Sequence, residues 1–187
     1  MTKKEERIRT PKVHGSVFIT GGVHIYGDVE IGEGSSVWFN AVIRGDGGKI
    51  SIGRNTNIQD NAVIHSNMNV DVEIGDEVTI GHGAIIRGCR IGNNVMVGMN
   101  STVMAHAEIG DYSIVGANTL VPYRKKFPPR SLIMGSPARL IRELGDDDIR
   151  ANDMAADIYK KRVKQYTEGV IRGHKKDFKS DGHLAEQ

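Results

Sequence analysis

Seven residues of types that do chemistry stand in one stretch of the chain: Arg44, Asp46, Gln59, Asp60, His65, His82 and Arg87. Neutral imidazoles are metal ligands and general bases. Carboxylates orient imidazoles by accepting their second N–H. Guanidiniums hold oxyanions through paired, charge-assisted hydrogen bonds. These side chains act together only if the chain between them folds back at a fixed interval.

It does so through a six-residue ladder of branched apolar residues. Val13, Ile19, Ile25, Ile31, Val37 and Ile43 form one run; Ile52, Ile58 and Ile64 a second. Ile74, Ile80 and Ile86, then Ile91, Val97, Val103, Ile109, Val115 and Val121, continue it. A fixed hexad with β-branched rungs reads as a parallel β-helix, about 18 residues per three-sided coil. Rungs point inward. Small residues two positions before the next rung fill the corners: Ala41, Ala62, Ala84, Ser101, Ser113 and Thr119. Cys89 reads as core in the same way. Extra residues between Arg44 and Ser51, and between His65 and Glu73, are expected to bulge out as loops.

The lattice gives each residue an address. The residue after every third rung points outward, so Tyr26, Arg44, His65, Arg87 and Met104 form one column at the ~4.8 Å strand spacing. Phe39, Asp60, His82 and Met99 form another. Two columns concentrate the polar residues in three successive coils.

Composition narrows the function classes. The formal net charge of +2 argues against nucleic acid and membrane-surface partners. A single cysteine excludes an internal disulfide and fits a reducing compartment. The charged start MTKKEERIRT is unlike a secretory signal, and no long apolar run exists, so the expectation is a cytoplasmic protein. The expected organisation is a mobile stretch 1–10, a β-helix over 11–137, a helical segment 138–170 and a disordered tail 171–187. Within the helical segment a helix is expected over 146–169, with Ile149, Ile158, Val163, Tyr166 and Val170 as its apolar stripe. Its acidic start, Asp146 to Asp148, and later lysines complement the helix dipole.

The motifs Arg44-Gly45-Asp46, Asn57-Ile58-Gln59-Asp60, His65, Gly81-His82-Gly83, Gly88-Cys89, Gly98-Met99 and Pro128-Pro129-Arg130-Ser131 follow one another in a recognisable order and spacing. Together they resemble the gamma-class carbonic anhydrase family over about residues 11–150 and the helix that follows. The resemblance implies a left-handed parallel β-helix with a C-terminal α-helix, an all-β solenoid that assembles as a homotrimer. It implies one zinc site per subunit interface, held by three histidines. His65 matches the first ligand and His82, from the neighbouring subunit, the second. The implied activity is reversible hydration of CO2 to bicarbonate. Gln59 would orient the nucleophile or substrate. Arg44 would pair with a neighbour's carboxylate, Asp60 or Asp46, and Asp60 would support a ligand.

One position departs from that pattern. The family places its third histidine five residues after the second, where this chain has Arg87 in GHGAIIRGCRIG. A guanidinium has no lone pair to donate. At an effective dielectric near 20, a divalent ion ~4 Å from it meets roughly 8 kcal/mol of repulsion. Weak or partial occupancy by zinc or another divalent metal is therefore expected. Proton shuttling is expected to suffer too, since the loop after His65 offers only Asp71 and Glu73. Two further readings stand beside the anhydrase. One is a CoA-dependent acyltransferase or thioesterase, with His82 as base and Arg124–Lys126 near CoA phosphates. The other is a non-catalytic trimeric assembly or anion-binding protein, with Arg87 as the anion-binding or ligand-blocking residue.

Overall fold

The hexad closes because each rung can stack directly on the rung one coil below it. In the computed structural model, which describes residues 9–173, three such columns run the length of the solenoid. One holds Ile25, Ile43, Ile64, Ile86, Val103 and Val121 as successive partners in parallel strands. The second runs Ile19, Val37, Ile58, Ile80, Val97, Val115 and Ile133. The third runs Val13, Ile31, Ile52, Ile74, Ile91, Ile109 and Phe127. The result is a left-handed parallel β-helix of about seven turns with one C-terminal helix. Most rungs are fully buried, each contributing about 1.5–3 kcal/mol. The predicted corner residues Ala41, Ala62, Ala84, Ser101, Ser113 and Thr119 are buried as well.

The corners need left-handed backbone. Asn94, Asn100, His106, Tyr112, Asn118 and Arg124 all have φ between 50° and 59°. Asparagine suits that conformation because its short side chain tolerates it. The sixfold period of the turns thus matches the sixfold period of the rungs.

Two expectations change. Residues 44–51 do not loop out. They belong to a continuous strand, Val42–Ile52, which turns a corner and joins two faces of the prism. The strand below, His24–Ile31, keeps the plain hexad from Ile25 to Ile31, so the extra residues of Val42–Ile52 are absorbed by a register shift between Gly27 and Val29 while the pair stays hydrogen-bonded on both sides of it. Gly27 (φ +84°) makes this possible; a Cβ there would overlap the Gly45 carbonyl. Residues 138–143, expected within the helical segment, instead form the strand Ala138–Glu143, which returns antiparallel to Ser131–Gly135 and ends the second face.

The helix spans Asp146–Thr167. Its buried and half-buried positions include Asn152, Ala156, Tyr159, Val163 and Tyr166; of the stripe read from the sequence, Ile149, Val163 and Tyr166 are half-buried, whereas Ile158 and Val170 are exposed. Tyr159 and Tyr166 meet the buried Trp38 edge-on, each at 5.3 Å between ring centroids. Asn152 donates to the Asn94 and Ser113 carbonyls. Two tyrosine edges therefore help dock the helix: Tyr166, which the expected stripe held, and Tyr159, which it did not. No helix among the described residues is long and apolar enough to cross a membrane. The expected mobile start and disordered tail fall largely on residues 1–8 and 174–187, outside the described residues.

Candidate functional site

The outward column exists as the lattice requires. Arg44 pairs in register with His65, and His65 with Arg87, in three successive coils. Asp46, two residues along the corner-turning strand, reaches back to this column. Its Oδ1 lies 3.0 Å from His65 Nε2, and its other oxygen pairs with the Arg44 guanidinium. An ionised carboxylate only accepts, so Nε2 of His65 carries the proton and Nδ1 keeps the lone pair. Partial desolvation pushes the Asp46 carboxyl up, but hydrogen bonds from His65 and Arg44 outweigh it and hold the group below its ordinary range. Among the described residues Arg87 reaches no carboxylate. Its Nη2 donates to Asn67 Oδ1 at 2.5 Å. Together these side chains line an open groove of about 370 Å³.

His82 sits in a second group. Its Nδ1 lies 2.8 Å from Asp60 Oδ2, and its Nε2 3.2 Å from the Tyr159 hydroxyl. The carboxylate fixes the proton on Nδ1, so Nε2 accepts from the tyrosine. Its backbone N–H donates to Gln59 Oε1 at 3.2 Å. Gln59 is buried and held from its other end by Asn57, to which its Nε2 donates at 3.1 Å. Asp60 also accepts from the Phe39 N–H at 3.1 Å. Burial, with the nearby Asp60 charge second, pushes the Tyr159 hydroxyl above its ordinary value. The hydroxyl therefore stays protonated and able to donate.

One chain does not bring the two imidazoles together. His65 ends the strand Val63–His65, whereas His82 precedes the stacked strand Ile85–Arg87. They flank opposite ends of one face. Among the described residues no three His, Cys, Asp or Glu side chains are grouped to hold a metal ion. The donor chemistry reinforces this. Two imidazoles are present, and a guanidinium stands in register beside one of them. That set does not fit the three protein donors usual in a catalytic zinc site.

Tyr159 and Asn67 were not anticipated from the sequence, and Asn57 stood in a recognised motif without its role of holding Gln59. The spacing of Asn152, Ala156, Tyr159, Val163 and Tyr166 does carry a helical stripe, but a polar residue opens it. The other histidines among the described residues stand apart: His14 contacts Ser16, His24 stacks on Tyr26, and His106 meets Tyr123. Asp71 accepts from the Lys49 N–H and Glu73 pairs with Arg90, tying both carboxylates to the adjoining face.

A family profile described as Bacterial transferase hexapeptide (six repeats) matches residues 88–122. A protein named Probable carbonic anhydrase from Methanocaldococcus jannaschii is 53% identical over 136 residues, covering 73% of this chain and 86% of that protein. The chain belongs to the gamma-carbonic-anhydrase-like hexapeptide-repeat family. A more distant member, Gamma carbonic anhydrase 2, mitochondrial, from Arabidopsis thaliana, is 37% identical over 147 residues. That match covers 75% of this chain and 53% of the longer plant protein. The family's β-helix is also seen in the crystal structure of a hexapeptide transferase family protein from Anaplasma phagocytophilum. It is 39% identical, with a TM-score of 0.80, over 83% of this chain and 92% of that one. In this gamma-carbonic-anhydrase-like protein, His65 and His82 each rest on a carboxylate of their own chain, Asp46 and Asp60.

Proposed function

We propose that this protein works on the CO2/bicarbonate pair at a site shared between subunits of a homotrimer, and that hydration by the chain as it stands is weak or lost. Family membership supports the substrate. The observation that carries the reading is the matched pair of held imidazoles, His65 on Asp46 and His82 on Asp60. A carboxylate on one ring nitrogen fixes the ring's rotation and raises the basicity of the other nitrogen. The pairs lie at opposite ends of one face, so a closed ring of copies would bring one subunit's His82 to the next subunit's His65. Exposed apolar side chains around that face, Ile85, Met99, Met104 and Leu120, support burial against a second copy.

The residues' roles follow from their contacts. Asp46 and Asp60 hold the rings. Arg44 offsets the Asp46 charge. Gln59 anchors the His82 backbone from a buried position. Arg87 adds positive charge where a third nitrogen donor is needed, so zinc or another divalent metal would bind weakly or partially. CO2 hydration measured by stopped flow on zinc-loaded parent and Arg87→His protein, with mass by light scattering, tests this. The expected result is a slow parent, a variant at least tenfold faster, and a trimer in both. Fast hydration by the parent overturns the reading of Arg87. No hydration by either protein overturns the substrate, and a monomer overturns the shared site.

A second reading, CoA-dependent acyl transfer or thioester hydrolysis, is supported by His82 itself. Nδ1 on a carboxylate with Nε2 facing a hydroxyl is an arrangement suited to a general base. The basic stretch is less suited to CoA phosphates. Arg124 and Lys125 lie over the Tyr123 and Phe127 rings, and Lys126 pairs with Glu108. A rise in melting temperature with acetyl-CoA and none with bicarbonate would favour this reading.

A further inference from the structure

We infer that Arg87 makes the groove beside His65 a seat for a small oxyanion. The inference rests on the reading that this groove is the functional site, and it names the ligand class that the site takes in place of a tightly held metal. Strand register places Arg44, His65 and Arg87 side by side in three coils. At ~4.8 Å per strand, the two arginine backbones stand about 10 Å apart with the imidazole between them. The groove they line with Asp46 holds two guanidiniums against one carboxylate, so it is net positive even with His65 neutral.

The two arginines are not equivalent. Arg44 is already neutralised by Asp46. Arg87 has no carboxylate partner among the described residues and uses a neutral amide oxygen, Asn67 Oδ1, as its acceptor. That contact keeps the guanidinium over the groove and leaves most of its five N–H donors free. Arg87 is also exposed, so an anion reaches it without first breaking an ion pair. A planar guanidinium grips two oxygens of a carboxylate, bicarbonate or phosphate at once. The residue that removes a metal donor therefore supplies an anion fork at the same address.

The test is titration of the full chain, stripped over a chelating resin and dialysed into chloride buffer of fixed ionic strength. Bicarbonate, acetate and inorganic phosphate are the probes, read by calorimetry for the parent, Arg87→Gln and Arg87→Lys proteins. The expected result is saturable binding by the parent, at least tenfold weaker binding by Arg87→Gln, and an intermediate affinity for Arg87→Lys. Melting temperatures should stay within a few degrees, because the side chain is exposed. Preference for bicarbonate or acetate marks a planar ligand, and preference for phosphate a tetrahedral one. Equal binding by parent and Arg87→Gln, or no binding of any probe by the parent, overturns the inference. Anion binding that fails while zinc-loaded Arg87→His hydrates CO2 would leave the anhydrase reading standing. The converse pair of results would leave the oxyanion seat standing without it.

Discussion

The Tyr159 hydroxyl lies 3.2 Å from His82 Nε2, on the nitrogen opposite the one that Asp60 holds at 2.8 Å. The terminal helix thus closes a hydrogen-bond chain from carboxylate through imidazole to phenol. It also makes docking of the helix and orientation of His82 a single event. Removing the hydroxyl alone should separate them. Tyr159→Phe keeps the ring against Trp38 and loses one part-buried hydrogen bond, a cost of about 1 kcal/mol. Nitrogen chemical shifts of His82 should move while those of His65 stay. Unmoved His82 shifts would show that the contact is not made in solution.

Gly45 separates Arg44 from Asp46 where the corner-turning strand presses on its neighbour. A Cβ there would stand 2.5 Å from the Asp28 carbonyl. Gly45→Ala should push the two strands apart at a cost of about 1–3 kcal/mol, and should shift Asp46 away from His65. Denaturant unfolding together with the His65 nitrogen shifts measures both effects. A variant as stable as the parent would show that the crossing has slack.

Asp148 gives the start of the helix an acid-sensitive contact. Its carboxyl accepts from the Arg142 guanidinium and from the Gly145 N–H, which lower its pKa from 3.8 to about 2. A folded value below the unfolded one stabilises the ionised state. That contribution is complete above the unfolded value of 3.8 and is lost as pH falls through the window towards about 2. The difference in melting temperature between parent and Asp148→Asn should therefore be largest near neutral pH and shrink across that window. A constant difference would mean that the ion pair is not formed.

Cys89 is buried, and burial pushes its thiol up to about 12, with a backbone hydrogen bond at Arg87 offsetting this only in part. The native protein should resist iodoacetamide at pH 8, because almost no thiolate is present or reachable. In denaturant one thiol per chain should react. Rapid labelling of the native state would place the side chain outside the core.

The column that sets Arg87 beside His65 was readable in advance because coil geometry converts sequence spacing into position. Ile43, Ile64 and Ile86 stack as rungs, so the residue following each must stack outside them. The pairing of Arg44 with Asp46 of its own chain was less legible. An interruption of the hexad looks like a loop until the longer strand is seen to stay paired with its regular neighbour on both sides of the corner, the extra residues taken up by a register shift. Tyr159 was missed for a different reason. Its helix docks through tyrosine edges and a buried asparagine, and the polar Asn152 breaks the start of the apolar spacing that leads through Tyr159 to Tyr166.

By itself, the sequence determined the solenoid, the inward rungs, the outward columns and the absence of a nitrogen donor at position 87, because a six-residue period leaves the backbone one compact way to stack. Tertiary structure decided which nitrogen of each imidazole is held, which carboxylate neutralises Arg44, and that a helix hydroxyl reaches His82. Those outcomes depend on side-chain reach and helix placement, and the period constrains neither.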